Sequence, residues 1–317
     1  MSTPSARPST RVARLLTLAA LLAGAACGGR YEGTGDDDDR VDAPPGRPGP
    51  DAPAGAADAA DAASAPVAGD QVDFTAYPES RGGADPSWGA VLTDIAQHLP
   101  PEYGDQYWDG DLVTAGHETT HGINSDIRNN HNDTGERANG FYVLEDRAVV
   151  VVEPGIRKSD VVPFVPSSLR GSRFGLYLLG QTEWDDTPLY VWDEWVAYVN
   201  GGAVGVDLAE AGLWSYGWRD AVAGPLEFTA YALAVGLAVK ERDPDYFAAN
   251  RQFREFLAWN SRRALDVFRR GRGRPDFAWD EQDALYEALR TGADAAALRQ
   301  FARDTFGDAW MSAVLEL

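Results

Sequence analysis

Cysteine is almost absent from this chain: of 317 residues, only Cys27 carries a thiol. An intrachain disulfide is therefore excluded, and so are the cysteine-rich zinc sites, which leaves His, Asp and Glu as the only ligands for a metal. Histidine is scarce too, with four in total, so the position of each one carries information. Positive charge is outnumbered: 28 Lys and Arg stand against 49 Asp and Glu, for a formal net charge of -21. Nucleic acid and anionic membrane surfaces bear the same sign, so neither is expected as the main partner. Long apolar runs are missing as well. The one near the start, residues 15–23, is too short to span a bilayer stably. What remains is ample apolar content for one large or two modest domains.

That short run has a recognisable setting. Arg7, Arg11 and Arg14 precede it, and the small residues Gly24, Ala25 and Ala26 lead directly into Cys27. The pattern resembles a bacterial lipoprotein signal, although Gly24 stands where such signals usually carry Leu. The resemblance implies an exported protein at the cell surface or in the periplasm. Residues 1–26 would be removed, and lipidated Cys27 would be the sole membrane contact. Residues 27–70 are mostly Gly, Ala, Pro and Asp, with four successive aspartates at 36–39. Such a segment cannot bury enough apolar surface to offset its ordering entropy, so a disordered acidic tether is expected. The aspartate run lacks the alternating ligands and the Gly of a calcium loop and reads as solvated.

The folded part is expected over residues 71–317, without an internal repeat or second linker. Pro86, Trp88, Val91, Leu92, Ile95 and Leu99 predict a short amphipathic helix stopped by Pro100 and Pro101. Asp111 is the natural N-cap of a second helix running towards Asn129. Residues 140–153 read as a hairpin of paired strands, and residues 174–179 as a further strand. Helices follow over 190–200, closed by Gly201 and Gly202, and over 225–240, 245–270, 280–290 and 294–306. Phe253, Phe256, Leu257, Leu265 and Phe268 mark a buried stripe. The expected fold is α+β: a helix-rich domain with a small β-sheet beside the second helix and a mostly α-helical C-terminal half.

Within that second helix stands His117-Glu118-Thr119-Thr120-His121. Residues four apart share a helix face, with Cβ atoms about 5–6 Å apart, so both imidazoles can reach one ion. Glu118 then faces the neighbouring side of the same cleft, where a general base belongs. Gly116, Gly122 and the two threonines oppose helix formation. This HExxH segment resembles the zincin superfamily of metallopeptidases. The metzincin continuation is not followed, since Asn124 and Ile127 stand where Gly and a third His would be. The gluzincin pattern, with a Glu from a later helix, fits Glu194 among Trp192, Asp193, Trp195 and Val196. The alternative third ligands are His131, in a polar stretch, and Asp126, while His98 reads as a surface residue at a helix end.

The resemblance implies a Zn2+ ion held by His117, His121 and Glu194, with Glu118 as general base in the hydrolysis of a peptide or protein substrate. Tyr198, one turn past Glu194, is the candidate donor to the developing oxyanion, with Tyr190 and Arg128 behind it. Asp193 or Asp126 would orient a ligand imidazole. Trp108, Trp184, Trp192, Trp195, Trp214 and Trp218 flank the motif segments, either as core or as a cleft lining. Two other functions remain open at this stage: a zinc amidase acting on cell wall, and a non-catalytic surface lipoprotein that binds a polymer or a protein partner.

Overall fold

The computed structural model describes residues 67–104 and 111–317, and helices carry most of them. Helix α1 (Gly89–His98) ends at Leu99, whose extended backbone is what a following proline demands. Helix α2 (Leu112–Asn130) opens at Asp111, whose carboxylate accepts from the Val113 amide at 2.9 Å. A cap of this kind contributes about 1 kcal/mol.

Strands β1 (Thr75–Ala76), β2 (Ala138–Tyr142) and β3 (Arg147–Val152) form an antiparallel sheet in the order β1-β3-β2, with Phe141 opposite Val149. The sheet lies directly on α2. A Cβ at Gly140 would come within 2.4 Å of Ile127 Cγ2, so the β2 backbone itself touches the helix. In the turn joining β2 to β3, Leu144, Glu145 and Asp146 all have positive φ. Each such non-glycine residue costs on the order of 1–3 kcal/mol and needs surrounding contacts to hold it. His98 provides one of them: its Nε2 lies 2.7 Å from Asp146 Oδ1, and the ring is fully buried. The expectation of a surface histidine is therefore corrected, because the hairpin folds back over the end of α1.

The C-terminal half comprises α3 (Tyr190–Glu210), α4 (Ala223–Arg242), α5 (Pro244–Ala249), α6 (Arg251–Arg272), α7 (Asp280–Thr291) and α8 (Ala296–Trp310). Helix α4 contacts each of the other five, which explains why it is apolar on every face. The stripe on α6 is buried as expected, with Phe253, Phe256, Leu257, Leu265 and Phe268 all inaccessible to solvent. The architecture is α+β and helix-rich, with its small sheet against the motif helix.

Three local expectations are corrected. Helix α3 runs through Gly201 and Gly202 to Glu210. The long helix expected over 245–270 is broken at Asn250, whose side chain leaves the helical path to accept from the Phe253 amide at 2.9 Å. The strand expected at 174–179 is a π-helical turn, Gly175–Leu179. Buried Lys158 donates to the carbonyls of Tyr177 (2.9 Å) and Gly180 (2.6 Å), which satisfies that turn's free acceptors. At the other end, part of the expected tether is packed: the Gly69 amide donates to Glu255 Oε2 at 2.7 Å, and Arg262 to the Ala68 carbonyl at 2.8 Å. The leader, Cys27, the aspartates at 36–39 and Trp108 lie outside the described residues. Among those described, no helix is long and apolar enough to cross a membrane.

Candidate metal centre

Helix α2 is buried, yet its buried side chains include His117, Glu118, Thr119, Thr120, Asn124, Ser125 and Asp126. Burying so many polar groups is costly unless each finds a partner, so the partners of these side chains define what this interior can do. The partner element is α3, the helix with which α2 packs most extensively. Their approach is close because glycines stand at the crossing. A Cβ at Gly116 would meet Val204 Cγ2 at 2.8 Å, and one at Gly201 would meet the Val113 carbonyl oxygen at 2.9 Å and His117 Cβ at 3.2 Å. The low helix propensity of this stretch is thus offset by tertiary fit. Thr120 is also accommodated: its hydroxyl donates to the Gly116 carbonyl (2.8 Å) and accepts from Asn200 (3.1 Å).

The crossing brings His117, His121 and Glu194 together. His117 Nε2 and His121 Nε2 are 3.1 Å apart, and Glu194 Oε2 lies 3.6 Å from the first and 3.4 Å from the second. Glu194 is only 4% exposed, and its Oε2 has no hydrogen-bond partner, whereas Oε1 accepts from the Tyr190 hydroxyl at 2.7 Å. A buried carboxylate oxygen left over in this way, facing two imidazole nitrogens, has the chemistry of a cation site. The dimensions agree. Zinc bonds of about 2.0–2.2 Å in tetrahedral geometry separate neighbouring ligand atoms by roughly 3.3–3.5 Å. The separations of 3.1, 3.4 and 3.6 Å bracket that range, so these residues could hold a divalent cation of zinc's size.

The electrostatics reflect the same crowding. Burial pushes the His117 imidazole well below its ordinary pKa, and the His121 and Arg173 charges push the same way. Burial also acts against the charged form of His121, but the Glu194 and Asp193 carboxylates outweigh it and hold this ring well above the usual range. For Asp193, burial is outweighed by His121, which keeps its carboxylate below the ordinary value. Its Oδ2 lies 2.9 Å from His121 Nδ1, so it is Asp193, and not Asp126, that orients the His121 imidazole. Asp126 serves elsewhere, accepting from the Tyr77 hydroxyl at 2.7 Å and from Asn130 at 2.6 Å.

Beside the triad opens a cleft lined by Val113, Thr114, His117, Glu118, Arg173, Tyr198, Gly201, Gly202, Arg219, Asp220 and Ala221. Burial raises the Glu118 pKa, His121 offsets part of that rise, and Glu194 and Asp193 add to it. Its place in the cleft wall and its raised pKa suit Glu118 to accept a proton there. Tyr198 packs edge-on against His117, with ring centroids 4.5 Å apart, and its hydroxyl is 3.0 Å from that of Tyr177.

Arg173 is the functional candidate that sequence reasoning missed. Its guanidinium sits 4.9 Å from the Tyr198 ring centre and pairs with Asp220 (2.6 Å) and Glu227 (2.9 Å). No motif announces it, because both of its acidic partners arrive from distant parts of the chain.

The other candidates separate cleanly. Tyr190 is engaged by Glu194, and Arg128 donates to Asn139 at 3.0 Å. His131 caps the far end of α2, about three turns beyond His121, where its half-exposed ring lies 3.2 Å from Asp126 Oδ2. It does not join the triad. Trp192 and Trp195 belong to the core, Trp192 stacked on Phe253 with centroids 4.5 Å apart, whereas Trp218 is 56% exposed. Set against protein-family models, curated proteins and solved structures, the chain matches none.

Proposed function

We propose that this chain is a zinc-dependent metallopeptidase of gluzincin type, exported and tethered through lipidated Cys27. The observation that carries the reading is the buried triangle of His117 Nε2, His121 Nε2 and the unpartnered Glu194 Oε2. Its likeness to the zincin motif supplies the class of bond cleaved, and the N-terminal lipoprotein-like pattern supplies the location.

In this reading, His117, His121 and Glu194 hold the ion, and Asp193 keeps the His121 ring in register. A bound zinc supplies Lewis acidity and lowers the pKa of a water it touches to about 7. Glu118 takes the proton of the attacking water and returns it to the leaving amine. The Tyr198 hydroxyl donates to the substrate oxygen on which negative charge grows, and Arg173, held by Asp220 and Glu227, packs on the Tyr198 ring and steadies it.

Elemental analysis of the purified protein, paired with digestion of a peptide library, tests the proposal. About one zinc per chain and measurable cleavage are expected. Glu118→Gln should keep the metal and lose a factor of about 10² to 10⁴ in kcat, the usual contribution of a general base. Glu194→Ala should lose the metal, and His131→Ala should keep it. Turnover of the Glu118→Gln protein at the wild-type rate would eliminate the mechanism.

A further inference from the structure

Asn124 stands one turn past His121 on the same face of α2 and is completely buried. Its amide is used at both ends. The Oδ1 atom accepts from the Tyr142 backbone amide of β2 at 2.7 Å, and the Nδ2 atom donates to Asp193 Oδ1 at 2.6 Å. The backbone N–H can only donate, so it fixes which end of the side-chain amide is oxygen and leaves the NH2 group aimed at Asp193. The other Asp193 oxygen faces His121 Nδ1 at 2.9 Å. A carboxylate that accepts on both sides requires His121 to carry a proton on Nδ1, which turns Nε2 towards Glu194 and His117. A tie between sheet and helix would need only the Tyr142 contact. The short bond to Asp193 goes beyond that requirement.

We infer that Asn124 is a positioning residue: anchored to the β2 backbone, it locks Asp193, and Asp193 in turn holds the His121 ring with its Nε2 directed at Glu194 and His117. The inference rests on the triad being a metal centre and extends it by tying the ligand geometry to the sheet. It also gives a use to the residue that departs from the metzincin pattern.

Asn124→Asp separates the two functions of the side chain, since a carboxylate still accepts from Tyr142 but no longer donates to Asp193. Zinc affinity of the full chain, measured at pH 8 by competition with a chromophoric chelator, should fall by about 10- to 100-fold, the usual cost of losing an outer-sphere partner. The melting temperature of the metal-free single variant should fall, because two buried carboxylates then face each other, and that of the Asn124→Asp, Asp193→Asn double variant should recover. Adding Asp193→Asn to Asn124→Asp rebuilds both bonds with their polarity reversed, because Asn at 193 can donate to position 124 and still accept from His121. This double variant should regain most of the lost affinity. An Asn124→Asp protein that binds zinc within threefold of the wild type overturns the inference, and so does a double variant no better than the single one.

A second measurement needs no variant. Long-range proton–nitrogen NMR of the metal-free wild type should show His121 protonated on Nδ1 whether or not Nε2 also carries a proton, and an Nδ1 without a proton would refute the relay. Should the wild type bind no zinc, the metal reading fails, while the NMR result still decides whether Asn124 and Asp193 set the ring.

Discussion

Tyr198 combines two contributions that a single substitution can separate. Its ring is wedged between His117 and Phe228, with centroid distances of 4.5 and 4.8 Å, while its hydroxyl meets only polar groups, Tyr177 and Arg173. Burial pushes its pKa up to about 12 and Arg173 pulls against that rise, so the hydroxyl keeps its proton across the neutral range and remains a donor. Tyr198→Phe should leave zinc content and KM unchanged and lower kcat by about 10- to 1,000-fold, the range seen for loss of one donor to an oxyanion. Steady-state kinetics on a cleaved peptide would check this, and an unchanged kcat would return Tyr198 to a purely packing role. The contrast between Tyr198 and Arg173 shows what single residues disclose in sequence. The convergence of His117, His121 and Glu194 was legible because two histidines one helical turn apart and a carboxylate from a later helix are the residue types a metal would need. Arg173 was not, since an isolated arginine acquires meaning only when Glu227 and Asp220 converge on it.

Among the elements, the α2–α3 crossing shows where reading by local propensity goes astray. Gly201 and Gly202 look like a helix stop, but neither has positive φ and the helix continues past both. Their small size is used sideways: a Cβ at Gly202 would meet Pro225 Cγ at 2.9 Å and the Ala221 carbonyl oxygen at 3.0 Å, just as one at Gly201 would press on α2. Caps and periodicity act within a few residues and were readable, as Asp111 and the α6 stripe attest. Close approach between helices, like the Lys158 hold on the π-helical turn, depends on residues far apart and leaves no local trace. Gly201→Ala makes the point testable. Helix propensity alone would make it stabilising by about 1 kcal/mol. The new Cβ, however, would press on a backbone oxygen of α2 that cannot rotate away, so a net loss of roughly 1–3 kcal/mol is expected. Zinc affinity should fall with it, because the same contact sets His117 against Glu194. Denaturant melts and chelator competition would report both effects, and a variant more stable than the wild type would show that the crossing has slack.

On the scale of the whole molecule, α2 lies between two hydrophobic clusters, contributing Val113 to the larger and Ala115, Ile123 and Ile127 to the smaller. The polar groups sealed between and around these clusters make stability depend on pH, and Glu153 is the clearest case. It follows β3, accepts from the Leu189 amide at 3.1 Å at the start of α3, and burial pushes its pKa from 4.5 up to about 7. The folded chain therefore keeps this proton up to about pH 7, whereas the unfolded chain releases it near 4.5. Between those values the unfolded state binds fewer protons, so stability falls as pH rises through this window and stays reduced above it. Glu153→Gln cannot ionise, yet it retains an oxygen to accept from Leu189. At pH 8 the variant should be more stable than the wild type by about 1–3 kcal/mol, and the advantage should vanish by about pH 4. Urea unfolding of both proteins at the two pH values measures the difference directly. An advantage that persists unchanged at pH 4 would place its origin in packing, and the absence of any advantage at pH 8 would mean that Glu153 is ionised without penalty in the fold.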